Sequence, residues 1–595
     1  MGHLAPSGPT GPTDYSKSPV HCREAELNSA NSWTSIGCDV LVVGGGLAGC
    51  MAAINGARRG ARVVLAEKAD TRRSGAAGTG NDHFGRLIIP GVSQWTAEEL
   101  VRDHIDLSLG FVDPQLVYIV ATEGFDRVHD LEAMGLNFKT ADGKYELIPQ
   151  LHKVPCSLHY AGRDVKPKLT AEAKRRGVDI FNRVAVTSLL SNRGRVVGAT
   201  AFNVRTGEFL VFKANAVVLA TGATTRLYPN TSGFLNNTSY PPHCSGDGIA
   251  LAFRAGAELT NMEGTMTGFG PVGWQRAGLG SYWPARTVDA TGQSIRYPEP
   301  GEGPSHGVSG PTCSRFPGSR ATWLRSRIKE GTIPTPLYLD TPALNEEQIR
   351  RVEFGLDNEG GCWILRRYME REGIDLRNYR IEHEYYQRMS RSPSGVVVNS
   401  DCRSSLAGLY AAGEVTAAFP FGSAPAAFTL GWRAGGNAAK WAAEVGPADI
   451  DKAEVAEEHS RVYALRERST GTRWQDLLLA VQAIMERHMG DVRTEAGLKI
   501  GLSKIEDLRK EAVLAAANVH EQCRCLEAQN VLTVAEVMMH AALERRASSS
   551  YHQHFRGDYP EWDPPEWRKW IVVKRDGERI EITHRPIDLG RFGDA

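Results

Sequence analysis

The 595-residue chain carries 69 Lys and Arg against 69 Asp and Glu, so its formal net charge at pH 7 is zero with histidine counted as neutral. This balance excludes a charge-driven nucleic-acid or anionic-membrane partner, and no apolar run approaches the length of a membrane span. The length predicts three or four domains, and the ten scattered cysteines indicate a reducing, cytoplasmic compartment and no iron–sulfur centre within the chain.

A polar tail precedes the first regular element. Residues 1–37 are rich in Pro, Gly, Ser and Thr, which predicts a disordered or surface-wrapping tail rather than a signal peptide. Residues 39–43 form an apolar run of strand length, and three glycines of residues 44–49 then fit G-x-G-x-x-G ahead of a helix-favouring segment. Such glycines allow a tight turn, the approach of a pyrophosphate and close helix–strand packing. The residues predicted to touch a dinucleotide here are Gly44, Gly46, Leu47, Ala48 and Gly49.

A second strand, residues 63–66, ends at Glu67, about 20 residues beyond the glycines. A carboxylate at this distance accepts both hydroxyls of an adenosine ribose and argues against a 2′-phosphate. The next loop is rich in Gly and Ala, so its backbone can lie flat against a planar ring such as a flavin, with an ordinary flexible loop as the alternative. Its predicted cofactor contacts are Lys68, Ser74, Gly75, Ala76, Gly78, Thr79 and Gly80. Asn81 is a candidate hydrogen-bond partner of substrate or flavin, or else a turn-stabilising residue.

Helical patterns and strand patterns then alternate. His159 lies in a polar stretch among the predicted helices at residues 95–109, 114–135 and 166–176; it is a candidate general base, although a lone histidine is more often structural. Strand patterns follow at residues 178–181, 184–187, 196–199, 208–212 and 216–223. The last of these is a buried strand that ends in Ala220, Thr221 and Gly222, which are small enough to approach a cofactor closely.

The middle of the chain has weak periodicity. Asp247 lies in a Ser-Gly-Asp-Gly turn before a predicted helix at residues 249–256. Residues 264 to about 335 are dense in Gly, Pro and Trp, and their aromatic side chains favour an ordered lid over disorder. These aromatic residues are Trp274, Tyr282, Trp283 and Trp323. Helices are predicted again at residues 345–354 and 363–372.

Strand character returns at residues 395–399 and 408–414, and the second of these runs ends on Gly413 and Glu414. A helix is predicted within residues 428–443, and its N-terminus is expected to face the flavin. The flavin-facing residues expected there are Gly436, Asn437 and Ala438. Long, charged, amphipathic helices are predicted from residue 446 to about 546, followed by an extended stretch and a polar hairpin.

The chain resembles the flavoprotein subunits of the succinate dehydrogenase and fumarate reductase family, and within that family the alpha-type subunits of adenylylsulfate reductase. The resemblance spans about residues 38–570. It rests on motifs at residues 42–49, 219–222, 245–248, 335–340, 408–414, 433–437, 543–546 and 558–560.

The resemblance implies that the cofactor is FAD. Glu67 would hold the adenosine ribose, Ala185 would lie at the adenine, and Glu414 would bind ribityl or pyrophosphate-side hydroxyls. Respiratory members attach FAD through a His in the loop after the second strand, but residues 73–75 occupy that place without one. Non-covalent FAD is therefore expected, because His83 lies too far along the loop to substitute.

The resemblance also implies the architecture. The fold class is α/β, a Rossmann-like FAD-binding domain with an inserted α+β capping domain and a C-terminal helical domain. The expected divisions are a flexible tail at 1–37, the FAD-binding domain at 38–248 and 395–445, the capping domain at 249–394, and the helical domain with an extended tail at 446–595.

Departures from the family pattern bear on the substrate. Dicarboxylate enzymes of the family carry His-Pro-Thr after Met-Glu, whereas residues 264–271 follow this Met-Glu without a His. Their second His falls near Ser390, and their proton-donating Arg falls near residues 278–282, where no Arg is present. Succinate and fumarate are therefore not expected. Residues 270–273 are similar to the adenylylsulfate reductases, but the arginine-bearing segment before them is absent, which also argues against adenylylsulfate.

Arg433 is the leading candidate for a substrate anion clamp, because a guanidinium grips a carboxylate with two hydrogen bonds. The alternative is a surface arginine paired with an acid. Arg391 is a second candidate cation or acid–base group, with a structural salt bridge as its alternative.

The leading hypothesis is an FAD-dependent oxidoreductase, a dehydrogenase or reductase, that acts on a small anionic organic substrate beneath a mobile capping domain. One alternative is an adenylylsulfate reductase-like protein that reduces a sulfur compound with a ferredoxin-like iron–sulfur partner. Another is a non-catalytic flavin-binding component of a complex. No metal, nucleic-acid partner or membrane span is expected, and a homodimer is left open.

Overall fold

The computed structural model describes residues 23–26, 33–148, 154–229, 241–271, 284–295, 320–359, 362–390, 393–417 and 424–593. The predictions for Arg391, Trp274, Tyr282 and Trp283 lie outside these residues. The described strands, in chain order, are β1 (Arg23–Glu26), β2 (Trp33–Val43), β3 (Val63–Glu67), β4 (His83–Phe84), β5 (Leu147–Ile148), β6 (Ser157–His159), β7 (Asp179–Asn182), β8 (Val184–Asn192), β9 (Arg195–Asn203), β10 (Phe209–Leu219), β11 (Leu259–Thr260), β12 (Met266–Pro271), β13 (Thr287–Val288), β14 (Leu337–Leu339), β15 (Ile381–Met389), β16 (Gly395–Val396), β17 (Leu409–Ala411), β18 (Lys569–Asp576) and β19 (Arg579–Pro586).

Helices cover the sheet faces and build the C-terminal part of the chain. In chain order they are α1 (Leu47–Arg58), α2 (Ala97–Leu107), α3 (Pro114–Ala133), α4 (Val165–Arg175), α5 (Asp247–Arg254), α6 (Arg320–Lys329), α7 (Glu346–Asn358), α8 (Cys362–Glu372), α9 (Ala424–Glu444), α10 (Lys452–Glu467), α11 (Trp474–His488), α12 (Glu495–Glu511) and α13 (Val519–Glu544). No helix within the described ranges is both long enough and apolar enough to cross a membrane.

A mainly parallel sheet organises the first half of the chain. Its order is β7-β3-β2-β10-β9-β8, and β17 joins the end of β10 in parallel. The register places Val43 beside both Ala66 and Leu219, so the carboxyl ends of three strands lie side by side. The centre of β2 is buried on both faces because helices cover a parallel sheet, which explains its unbroken run of apolar residues.

The tail prediction needs one correction. Residues of β1 pair antiparallel with the start of β2, from Arg23 opposite Ile36 to Glu26 opposite Trp33. Regular structure therefore begins ahead of the predicted boundary at residue 38, because β2 is longer than its apolar run. The other residues before 33 lie outside the described ranges.

A second sheet belongs to the inserted part, which we call the capping segment (residues 266–389). Its strand order is β12-β15-β14-β13. Helices α7 and α8 pack beside it through a separate apolar cluster that includes Ile349, Val352 and Leu356. Helix α7 starts at a capping box, in which Asn345 and Gln348 each accept a hydrogen bond from the other's backbone N–H.

The C-terminal helices pack around α13, whose buried residues surround the helix on every side, as expected of a core helix. The chain then returns to the rest of the molecule in a sheet of order β16-β11-β18-β19. The predicted polar hairpin is therefore only half right. Strand β19 is largely exposed, but residues 570–573 of β18 are buried and apolar.

A buried ion pair joins this C-terminal part to the entry of the capping segment. Arg545 Nε lies 2.7 Å from Glu263 Oε1, and neither side chain is more than 1% exposed. Arg493, also buried, donates to the main-chain oxygen of Glu263 at 2.8 Å. Such a pair costs desolvation free energy when it forms, so its main effect is the penalty for losing one partner.

Candidate functional site

The predicted cofactor residues converge at the carboxyl edge of the parallel strands. Gly44 follows β2, Glu67 ends β3, Ala220 follows β10, and Gly413 follows β17. Ligands of open α/β sheets bind at this edge, at the point where the helix after the first strand begins. The structure thus brings together four segments that are far apart in sequence.

The glycine turn has the geometry that a bound pyrophosphate needs. Gly44 has φ +97°, and a Cβ built on it would lie 2.6 Å from the Ala220 oxygen. A Cβ on Gly49 would lie 1.8 Å from the Gly44 oxygen, so the third glycine permits the close helix–strand contact. Nothing lies within 4 Å of a Cβ built on Gly46, so open space faces this peptide. That space is where a phosphate can approach the first N–H groups of α1.

Glu67 holds the turn in place. Its Oε2 accepts from the Gly45 N–H at 2.6 Å, and its Oε1 accepts from the Ala69 N–H at 2.6 Å. Each carboxylate oxygen has a second lone pair, so these contacts leave room for the ribose hydroxyls predicted to bind here.

The loop after Lys68 lies across the glycine turn. The Ser74 hydroxyl donates to the Gly45 oxygen at 3.2 Å, and a Cβ on Gly75 (φ +80°) would lie 3.0 Å from Gly46 Cα. At its far end, a Cβ on Gly80 would meet the Asn358 oxygen at 2.1 Å. The loop therefore joins the cofactor edge to the last turn of α7 in the capping segment.

Two predicted cofactor residues also have protein partners. Lys68 Nζ lies 2.6 Å from Asp247 Oδ2 and 2.6 Å from Glu527 Oε1. Burial raises the pKa of Asp247, but Lys68 more than offsets this, and the pKa ends below its ordinary value. Asn530 donates to Asp247 at 2.9 Å, so α13 supports this side of the site. Contact of Lys68 or Asp247 with the cofactor stays a prediction, as it does for Ala76, Thr79, Ala185, Thr221, Gly222 and Glu414.

The predicted helix start at Gly436 is wrong. Helix α9 already begins at Ala424, so Gly436, Asn437 and Ala438 lie deep inside it. A Cβ on Gly435 would lie 2.0 Å from the Ala52 oxygen, within helix α1. The Gly-Gly pair thus serves close packing between α9 and α1 rather than a helix N-terminus.

Arg433 is held by protein groups. Its NH1 lies 2.6 Å from Glu123 Oε1 on α3, its NH2 lies 3.5 Å from Asp401 Oδ1, and its Nε donates to the Ser400 oxygen. These contacts support the structural alternative, an arginine paired with an acid, over the substrate clamp.

A polar cluster lies where the flavin loop meets the capping segment. His83 Nδ1 is 2.6 Å from Asp82 Oδ1. Glu359 lies close to both residues: one carboxylate oxygen of each acid and one ring nitrogen of His83 are all within 4.8 Å of one another. We call these three residues the acid–histidine cluster. Asp82 and Glu359 are 3% and 8% exposed.

The surroundings of His83 favour its protonated form. Burial lowers the pKa of His83, but the Asp82 carboxylate, helped by Glu359, raises it above its ordinary value. Burial raises the pKa of Asp82, and the His83 hydrogen bond and charge lower it by more, so the carboxyl group stays ionised. The two acidic neighbours thus favour the protonated form of His83.

His159 and Asn81, the two candidate site residues that the sequence predicts in this region, contact groups outside the acid–histidine cluster. His159 pairs with His83 across β4 and β6, and its ring stacks on Phe354 of α7 at 5.5 Å. Burial lowers the pKa of His159 to about 4, so it is neutral at pH 7 and a weak base. Asn81 Oδ1 accepts from the buried Tyr160 hydroxyl at 2.7 Å. Both predicted roles stay open, and both residues border the acid–histidine cluster.

Sequence reasoning misses Asp82, Glu359 and the proton-holding role of His83. From the sequence, His83 is weighed only as an attachment point for flavin. The adjacent Asp-His pair is the available signal, whereas nothing local marks Glu359.

Comparisons with known proteins bear on the cofactor and the fold. Residues 39–290 match the family model described as an FAD binding domain, and residues 479–592 match the model described as the fumarate reductase flavoprotein C-terminus. The chain is 27% identical to one subunit of the CoM/CoB fumarate reductase of Methanothermobacter marburgensis, over 91% of this chain and 98% of that protein. It is also 27% identical to an L-aspartate oxidase of Mycobacterium leprae, over 91% and 96%.

Among solved structures, adenylylsulfate reductase from Archaeoglobus fulgidus has a TM-score of 0.80 to this chain at 24% identity, over 93% of this chain and 96% of that one. This likeness concerns the fold, and it confirms the predicted fold class. With the FAD binding domain matched and open space in front of Gly46, the cofactor of the chain is FAD.

Proposed function

We propose that the substrate of this protein is a small organic anion held between the FAD site and the capping segment. The premise is that the chain belongs to the flavoprotein subunits of the succinate dehydrogenase and fumarate reductase family and is an FAD-dependent oxidoreductase. The observation that carries the proposal is the acid–histidine cluster. It lies at the end of the flavin loop and takes one of its carboxylates from the capping segment side.

The chemistry divides between cofactor and protein. FAD, when bound, supplies hydride or two-electron transfer. The protein supplies His83 as the group that gives or takes a proton, and Nδ1 of its ring lies 2.6 Å from Asp82 Oδ1. Asp82 fixes the ring and stabilises its charged form, while the capping segment excludes water when it packs against the loop.

An anion needs a cation at this place, because two carboxylates already flank His83. Burial is the main cause of the lowered pKa of His159, and the positive charge of Arg351 on α7 adds to it, so Arg351 lies near this neighbour of the cluster. The Arg351 guanidinium lies 3.2 Å from Glu347, an acid whose side chain is 73% exposed. A solvent-exposed pair of this kind is weak, so Arg351 can exchange Glu347 for a substrate carboxylate at little cost. We therefore assign the anion clamp to Arg351 in place of Arg433.

Succinate and fumarate are not the proposed substrates. Ser390 stands near the position of the second dicarboxylate histidine, and it is buried, with its backbone paired to Thr224. The relatives' names include fumarate reductase, L-aspartate oxidase and adenylylsulfate reductase, so the family carries several substrates on one fold.

A separate protein is proposed as the electron partner. The sequence has no cysteine spacing for an iron–sulfur cluster. Seven cysteines form no disulfide and are buried: Cys38, Cys50, Cys156, Cys244, Cys402, Cys523 and Cys525. Two matched relatives are named as subunits, which supports a multi-subunit assembly. An iron–sulfur protein of ferredoxin type fits this role.

The test uses the purified flavoprotein under anaerobic conditions. The oxidised protein is mixed with succinate, L-aspartate and a series of hydroxy, amino and sulfonic acids, and the chemically reduced protein with fumarate and adenylylsulfate, while flavin absorbance is followed. An organic anion other than succinate or fumarate is expected to react fastest, and acid precipitation is expected to release the flavin. A fastest reaction with an uncharged compound, or with succinate or fumarate, would contradict the substrate proposal.

His83→Gln then tests the site. Loss of a positioned proton donor is expected to lower the reaction rate about 10²–10⁴-fold. The matched control is His129→Gln, since His129 is on the surface with a side chain 54% exposed. Equal rates for both variants would remove the acid–histidine cluster from the mechanism.

A further inference from the structure

A fully buried lysine lies beneath the glycine turn. Lys166 occupies the first turn of α4 and has no exposed surface. Its Nζ donates to the main-chain oxygen of Gly45, lies 3.4 Å from the oxygen of Gly46, and lies 3.1 Å from Cys50 Sγ. A long cationic side chain thus ends directly under the turn that faces the cofactor.

The partners of Lys166 are two main-chain oxygens and a cysteine sulfur. In the part of the chain that the structure describes, no ion pair joins Lys166 to a carboxylate. Lys68, another lysine at this edge and 15% exposed, pairs with both Asp247 and Glu527. A buried cation without an opposite charge is strongly unfavourable, so the fold keeps Lys166 here at a cost that a bound anion would relieve.

The contacts also orient the turn. Across a trans peptide, the C=O of one residue points opposite to the N–H of the next. When Lys166 holds the oxygens of Gly45 and Gly46, the N–H groups of Gly46 and Leu47 point to the other side of the turn. These N–H groups are among the donors that a helix N-terminus leaves without partners. A Cβ built on Gly46 would meet nothing within 4 Å, so there is room for a ligand beside the turn.

We infer that Lys166 is the built-in countercharge and positioning residue for the diphosphate of FAD. It aims the donors of the glycine turn at the diphosphate and balances that group's negative charge from behind the turn. The inference depends only on FAD binding and not on the substrate proposed above. It predicts that replacing Lys166 weakens the binding of ligands that carry phosphate and leaves the binding of ligands without phosphate unchanged.

The experiment displaces FAD from the full-length holoprotein with ADP or with adenosine and follows the rise of free-flavin fluorescence. ADP carries the diphosphate, and adenosine occupies the same end of the site without it. In Lys166→Met, the affinity for ADP relative to that for adenosine is expected to fall about tenfold or more. The matched control is Lys168→Met, because Lys168 is on the same helix and binds the Gly135 oxygen at the surface. Its ratio is expected to stay within about twofold of the wild type.

A second variant separates charge from orientation. Lys166→Gln keeps a donor for the carbonyl groups but removes the charge, so it is expected to recover part of the ADP preference that Lys166→Met loses. Equal loss of ADP and adenosine binding in both variants would show that Lys166 merely supports the fold. An unchanged ratio in both variants would also overturn the inference.

Discussion

The pair Gly435 and Gly436 allows a sharp test of how α9 relates to the cofactor. In Gly435→Ala the new methyl group would lie 2.0 Å from the Ala52 oxygen and 2.5 Å from Ala52 Cα. Both are backbone atoms, so no rotamer change can relieve the contact. In Gly436→Ala the nearest atoms are Asn55 Nδ2 at 2.6 Å and Arg59 Nε at 2.9 Å. Both belong to side chains, which can shift more readily than backbone, although Asn55 Nδ2 would strain its hydrogen bond to the Trp432 oxygen.

Two opposing effects set the change in the free energy of unfolding of each variant. Alanine stabilises a helix interior by about 0.5–1 kcal/mol relative to glycine, and this gain is the same in both variants. Overpacking against backbone costs about 1–3 kcal/mol, and it applies in full only to Gly435→Ala. We expect Gly435→Ala to destabilise the protein by about 1–2 kcal/mol net, a drop of about 2–8 °C in the unfolding temperature of the FAD-binding part. Gly436→Ala is expected to be close to neutral.

The effect should also reach the cofactor, because α1 begins directly after the glycine turn. If about 1 kcal/mol of the clash is transmitted to the turn, FAD binds about fivefold more weakly in Gly435→Ala. Thermal unfolding and flavin release on dilution measure the two effects. If Gly436→Ala loses more FAD than Gly435→Ala, then Gly436 does lie at the flavin and the packing argument is refuted.

Three further predictions follow from the site. In steady-state kinetics, Arg351→Met is expected to raise the KM for the anionic substrate at least about tenfold, whereas Arg433→Met leaves KM within about twofold of the wild type. The reverse pattern would assign the clamp to Arg433. Since Asp82 raises the pKa of His83, the proton on His83 is present at low pH and lost as pH rises through that raised pKa. In Asp82→Asn the burial of His83 remains and lowers the pKa of its ring, while the Asp82 charge that raised this pKa is gone. The fall in activity at alkaline pH is therefore expected to move to lower pH. An unmoved pH profile would contradict this. Glu263→Leu leaves a buried arginine without its charge partner and is expected to cost about 3–5 kcal/mol in urea unfolding, against less than about 1 kcal/mol for a surface pair.

The parts of this molecule that are predictable from sequence are those with local causes. The glycine turn and Glu67 follow from a strand, a turn and a helix that are adjacent in the chain, and the structure places them together. The predicted helix start at Gly435 and Gly436 is wrong because a Gly-Gly pair has two physical explanations, a helix terminus or a close helix–helix contact, and only the neighbouring helix decides between them. Lys166 is visible as a helix start, but its burial depends on packing against α1, which no local pattern encodes.

The acid–histidine cluster shows why the remainder of the site could not be predicted from the sequence. Asp82 and His83 belong to the flavin loop, whereas Glu359 follows α7 of the capping segment, and their approach depends on how the two parts pack. The contact is close, because Gly80 has no room for a side chain against Asn358. Any movement of α7 away from the loop would withdraw Glu359 from His83 and remove one of the two carboxylates that favour its protonated form. We therefore predict that placement of the capping segment and retention of the proton on His83 are coupled, so that the proton donor is fully formed when the segment packs against the flavin loop.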